Sequence, residues 1–346
     1  MGAPAKVLHA LALVGKEEAT YGTAIALTPA ADGLQMQLSA DDPAAIFNVN
    51  YANDGDIGPS ISSLGQLSRV PPTGLFAEGS IPALMRLPLA AYAAGVLPNL
   101  HRLLKMAGFD ATGAFGVGVE KYTYAPTAVG TAYTSLTLNA YERQEMLALA
   151  GCLADLTIDG KDGKPPLFTF HTKGIASTPT DAAPVIPAGL VYPNSAIGPV
   201  INQAVTLVFG AFTANAVLKS WNFALNRKFD SARMNLQGAN IHAGFVPSGR
   251  KPTFKFVLEA TALVNTPFHT GAGFDPYKLR DVATELGTVS VKIGSVQYNR
   301  TTIAMAQAQV VNVVKQGEGP TATVELEVLA HNSTPLLNDD VSIVCD

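Results

Sequence analysis

Thr323-Val324-Glu325-Leu326-Glu327-Val328-Leu329 decides the fold class. Val324, Leu326 and Val328 alternate with Glu325 and Glu327. A strand points successive side chains to opposite faces, so the three apolar residues share one face and the two carboxylates the other. This is the pattern of a half-buried antiparallel strand, with one face in a core and one in a polar setting. The same period recurs outward along the chain. Leu34, Met36 and Leu38 alternate with Gln35 and Gln37; Tyr122 and Tyr124 flank Thr123; Leu136 and Leu138 flank Thr137. Phe168 and Phe170 flank Thr169, and Trp221, Phe223 and Leu225 alternate with Asn222, Ala224 and Asn226. Gly- and Asp-rich turns at residues 53–56, 159–163 and 316–319 punctuate these runs.

Two segments carry helical spacing instead. Leu100, Leu103, Leu104 and Ala107 fall on one helical face, with Pro98 ahead and Gly108 just past the end. Leu279, Val282, Ala283 and Leu286 repeat that spacing, with Asp275 as N-cap, Pro276 at the first helical position and Gly287 closing. Each helix has β-rich sequence before it and a Gly-rich turn with a strand after it, which reads as an internal repeat. The expected architecture is mainly β: two tandem β-sandwich-like domains, residues 1–178 and 200–346, each with one flanking helix. A Pro-rich, semi-rigid linker, residues 179–199, separates them.

Composition narrows the function. Only 14% of the 346 residues are charged and 48% are hydrophobic, which excludes a disordered chain and predicts surface destined for burial against other subunits. With 23 basic and 27 acidic residues, the balance argues against a protein that grips phosphates through clustered Lys and Arg. Cys152 and Cys345, far apart, make neither a disulfide framework nor a zinc site. Residues 7–14 read as a strand rather than a leader, and no apolar run is long enough to cross a membrane.

Motifs for chemistry are missing. None of the six histidines sits in a metal-binding pattern. His101 reads as a surface histidine, His171 as a solvated strand end and Cys152 as a buried structural thiol. Residues 113–118 have the wrong glycine order for a dinucleotide site, residues 160–164 read as a hairpin turn, and Asn53, Asp54 and Asp56 as an acidic turn rather than a metal site. The chain is expected not to be an enzyme and to need no cofactor or metal.

Several local features resemble the major tail tube proteins of long-tailed, non-contractile bacteriophages, in their two-domain form. Lys16-Glu17-Glu18-Ala19-Thr20-Tyr21-Gly22-Thr23 is similar to the family's K-E-x-T-Y-G-T opening. Residues 100–109 followed by Tyr122-Thr123-Tyr124-Ala125-Pro126 resemble its L-L-K-x-x-G and Y-x-Y-x-P section, and residues 150–158 its Gly-containing strand start, with Asp155 in place of the second Gly. Residues 218–223, Arg250-Lys251-Pro252 and residues 338–343 resemble its second half. The resemblance implies a structural virion protein, made in the bacterial cytoplasm, whose domains lend strands to a closed inner barrel. Trimeric rings would stack into a tube that conducts double-stranded DNA without specific binding. Implied partners are further copies, the tape measure, tail terminator and distal tail proteins, and no membrane. Glu325 and Glu327 are candidates for the lumen face. The loop at residues 50–79, with Asp54, Asp56, Arg69 and Glu78, is the candidate contact between rings. The alternative from another class is an extracellular β-sandwich adhesin or carbohydrate-binding module.

Overall fold

The computed structural model describes residues 11–37, 47–51, 61–63, 66–67, 75–128, 131–142, 145–161, 163–181, 186–202, 205–209, 218–230, 244–259, 280, 285–318, 321–333 and 338–346. In chain order its elements are Leu11–Glu17 (β1), Pro29–Asp32 (α1), Gly33–Leu34 (β2), Phe47–Tyr51 (β3), Ile61–Ser63 (β4), Gln66–Leu67 (β5), Leu75–Leu84 (β6), His101–Met106 (α2), Phe109–Ala114 (β7), Lys121–Pro126 (β8), Leu136–Glu142 (β9), Glu145–Lys161 (β10), Leu167–Ala176 (β11) and Thr180–Asp181 (β12). There follow Thr206–Phe209 (β13), Leu218–Ala224 (β14), Lys228–Asp230 (β15), Val246–Gly249 (β16), Thr253–Glu259 (β17), Glu285–Ile293 (β18), Thr301–Glu318 (β19), Thr321–His331 (β20) and Ser342–Cys345 (β21). The protein is mainly β and its ladders are antiparallel, as the two-residue period predicts.

One pairing order occurs twice. The first run is β1–β9–β10–β11–β6–β3. The second is β13–β18–β19–β20–β17–β14. In both, a long strand reaches past its hairpin partner. β10 outruns β9, and β19 outruns β18. Each long strand also carries an irregularity on its β11 or β20 side, between Ala150 and Leu153 and between Val310 and Asn312. Gly151 meets the first with φ +61°, a backbone that L side chains resist.

One ladder joins the two runs, and a second links the β7–β8 hairpin to the second run. Residues 157–161 of β10 pair with residues 220–224 of β14, and β21 bridges β19 to β8. The strands form one barrel-like network, yet its hydrogen bonds do not close it. Among the described residues the ladders branch, and no path along them returns to its starting strand.

The core lies on the side of the long sheet carrying Phe168, Phe170, Phe223, Phe254 and Phe256, all fully buried. Phe254 stands 5.1 Å from both Phe223 and Phe256. Aromatic rings of this size remove so much apolar surface from water that truncating one costs about 3–5 kcal/mol. At the β10–β14 joint Gly160 lies opposite Trp221, and a Cβ on Gly160 would fall 2.1 Å from the indole. The indole Nε1 donates to Asn202, whose amide donates to the Lys161 carbonyl.

Several expectations need correction. Of the alternation at residues 34–38, Leu34 is in a strand and residues 35–37 are not, although Gln37 N–H donates to the Pro82 carbonyl at 2.8 Å; Leu38 lies outside the described residues. Residues 316–318 belong to β19 rather than to a turn. The first expected helix is α2, packed on β1, β7 and β10. The second falls largely outside the described residues. Arg280 is helical, but Glu285 already opens β18, so that helix stops short of Leu286. Residues of the expected semi-rigid linker, and Val200 just past it, bond to the first half. β12 pairs with residues 145–146, Asn194 donates to the Arg86 carbonyl at 3.3 Å, and Val200 N–H donates to the Met85 carbonyl at 3.0 Å.

Candidate assembly surface

Away from the core, the long sheet presents one continuous polar face. The register carries it from Glu78 and Ser80 on β6, through Lys173 and His171 on β11 and Asp155, Thr157 and Asp159 on β10, to Asn222 on β14. It continues through Lys255 on β17 to Glu327 and Glu325 on β20. These side chains are half-buried or exposed, alternating with the buried core positions. Six carboxylates (Glu78, Asp155, Asp159, Glu259, Glu325, Glu327) face four lysines (Lys161, Lys173, Lys219, Lys255). Several are paired: Lys173–Glu78 at 2.5 Å, Lys219–Glu259 at 2.7 Å, and Asn222 donating to Asp159 at 2.8 Å. The result is a weakly negative surface with no basic cluster.

Glu325 and Glu327 therefore sit together, as their alternation predicts. Glu325 accepts from the Gln316 amide at 2.5 Å, and Glu327 lies opposite Lys255. Glu78 does not lie in a loop. It is in β6, because residues 75–79 pair with both β3 and β11. Asp54, Asp56 and Arg69 lie outside the described residues. Within that stretch β4 and β5 form a small two-stranded sheet.

The sheet that runs β3–β6–β11–β10–β14–β17–β20–β19 leaves a free edge at each end. Residues 311–318 of β19 pair with β20 on one side only, and β3 pairs only with β6, among the described residues. Val311 and Val314 on the β19 arm are 42% and 40% exposed. Both edges correspond by ladder order to the strands already joined inside the chain, since β19 matches β10 and β3 matches β14. A second exposed apolar feature is the β7–β8 tip, with Phe115, Val119 and fully exposed Val117.

The opening motif proves to be a clamp. The Glu18 carboxylate accepts from Gly22 N–H and Ser135 Oγ through one oxygen, at 2.8 and 2.6 Å. Its other oxygen accepts from Thr137 Oγ1 and Gly151 N–H, at 2.9 and 2.8 Å. It thereby ties β1, β9 and the β10 irregularity together. Tyr21 Oη accepts from Phe245 N–H at 2.8 Å and lies 3.1 Å from the Phe245 carbonyl, which fastens the segment after β1 to the second half. The family resemblance flagged these residues, but only the fold gives them a role.

The remaining titratable groups serve structure. His101 is not a surface histidine: its ring is largely buried, with Nδ1 3.0 Å from Tyr124 Oη and Nε2 3.7 Å from Glu17. Burial lowers its pKa, against the pull of Glu17. His171 lies within β11 rather than at a strand end, between Ser80 Oγ and Thr157 Oγ1. Burial raises the Asp155 pKa, while the N–H groups of Arg227 and Leu156 oppose the rise. Cys152 and Cys345 are buried free thiols. Burial pushes Cys345 up to about 12 and Cys152 above its usual value, so neither is a thiolate at neutral pH. Among the described residues no cluster of His, Cys, Asp and Glu could hold a metal ion, and no helix is long and apolar enough to cross a membrane. Trp221, the sole Trp, is buried in the core rather than offered to a ligand. No protein-family model matches the chain, and no curated protein matches it.

Proposed function

We propose that the chain is a structural virion protein, a bacteriophage tail tube subunit that assembles into stacked rings around a channel for double-stranded DNA. One observation carries the reading: a ladder run that occurs twice, joined edge to edge inside the chain, with the matching edges left open at its two ends. In this reading residues 1–178 and 200–346 are two tandem tube domains. The β19 arm of one copy pairs with β3 of the next, as β10 pairs with β14. Such a contact is head-to-tail and closes into a ring when the rotation allows. Closure also removes the open edges that would otherwise pair at random. Three two-domain chains would give six repeats around the circle.

The polar sheet face would then line the lumen, Glu325 and Glu327 with it. A weakly negative wall repels a polyanion evenly and offers no wells to hold its phosphates. The tape measure, tail terminator and distal tail proteins would meet the ends of the tube. Negative-stain microscopy of the purified full-length protein tests the reading. Rings or tubes are the expected result. Isolated particles that fail to polymerise at high concentration would overturn it.

A further inference from the structure

At the seam between the two halves lies a cavity of about 30 Å³, lined by Gly108 and Phe109 after α2, by Tyr133, and by Arg227, Gly249 and Arg250. It has room for one or two water-sized groups. The Arg227 side chain is only 8% exposed. Its backbone N–H donates to Asp155, but guanidinium Nη1 has no hydrogen-bond partner. It makes no ion pair among the described residues, whereas Arg250, on the same cavity, is held by both oxygens of Asp340 and by Asn338.

The Tyr133 ring covers the Arg227 guanidinium at 4.2 Å, and the Phe229 ring approaches at 5.8 Å. Gly108 is what lets Nη1 lie where it does, since a Cβ there would fall 2.2 Å from it. Asp155 and the Tyr133 side chain favour the Arg227 charge and Arg250 opposes it, while the unused Nη1 donor aims at a space that can hold one more acceptor. A water molecule would accept the hydrogen bond but add no negative charge between the two arginines.

We propose that this cavity binds a small monovalent anion of chloride size, held by Arg227 Nη1 between the two halves. The test replaces sodium gluconate stepwise with sodium chloride or bromide at constant ionic strength and follows the unfolding temperature of the full-length protein. A saturable rise of roughly 2–5 °C is expected. Arg227→Met, which removes the buried charge and keeps an unbranched apolar stem, should abolish the rise. Crystals grown in bromide should show an anomalous peak beside Nη1. Equal unfolding temperatures in gluconate and chloride, a rise that never saturates, or a rise that survives Arg227→Met would each overturn the proposal. Should Arg227→Met fail to fold, the wild-type titration and the bromide crystal decide: water alone at Nη1 refutes the site.

Discussion

Reversing both Glu325 and Glu327 to Lys tests which way the polar face points. Its six carboxylates and four lysines give each subunit two net negative charges there, and the double substitution makes that two net positive charges. In a trimeric ring about six new cations would face the channel. Each phosphate contact contributes a slope of about −0.9 to log K against log salt, so six contacts lose roughly a thousandfold between 50 and 200 mM salt. The strand should survive. Glu325 gives up its bond from Gln316, and Glu327 leaves Lys255 opposite a like charge, a cost of a few tenths to about 1 kcal/mol each. The assay is co-sedimentation of short duplex DNA with assembled tubes at the two salt concentrations. Variant tubes should hold DNA at low salt and release it at high salt, while wild-type tubes hold little at either. Intact variant tubes with wild-type behaviour would show that these residues lie outside the channel. Loss of assembly would place them at a subunit contact, and either result refutes the lumen assignment.

Four further outcomes are expected. Deleting residues 55–68 should leave a folded, soluble protein that forms no tubes by electron microscopy; tubes of normal length would count against an inter-ring role for that stretch. Glu18→Ala strands four donors at once and should cost about 3–4 kcal/mol in urea unfolding, against half that or less for Glu18→Gln, which keeps one acceptor oxygen. Gly160→Val drives a side chain into the Trp221 indole and should cost about 2–3 kcal/mol, partly recovered by adding Trp221→Leu. His101 has its pKa lowered from 6.5 in the fold, so the unfolded chain binds the extra proton first. Its contribution is therefore present above that pH and lost as pH falls below it, and His101→Gln should flatten this part of a stability–pH profile.

The strands were legible where alternation fixes both faces, as at Phe168–Phe170, Trp221–Phe223 and Val324–Val328. The period says which side chains point inward, and burial needs nothing more. It does not say which strands become neighbours. The joint between β10 and β14 and the bridge of β21 to β8 depend on edges brought together by the whole fold, with no local trace. Leu34 and Met36 show the converse: alternation met by a single backbone bond, from Gln37 N–H to the Pro82 carbonyl, makes no strand at residues 35–37. Glu18 and Tyr21 stood out as a motif, but their partners lie at Gly151 and Phe245, beyond the reach of any spacing rule. The candidate lumen pair was readable for the simplest reason, since two carboxylates two residues apart on a strand must share a face.

The position of β21 sets an order of events during synthesis. Domains on a ribosome tend to fold from the N-terminal side as they emerge. Among the described residues β8 and β7 connect to the rest of the sheet only through residues 343–345, and β21 is itself held by β19. Until those residues leave the exit tunnel, the β7–β8 hairpin of the first half has no sheet to dock on. A nascent chain thus stays structurally incomplete while its neighbours on the same message are being made. In the proposed tube, the timing of this one short strand would delay the completion of each subunit.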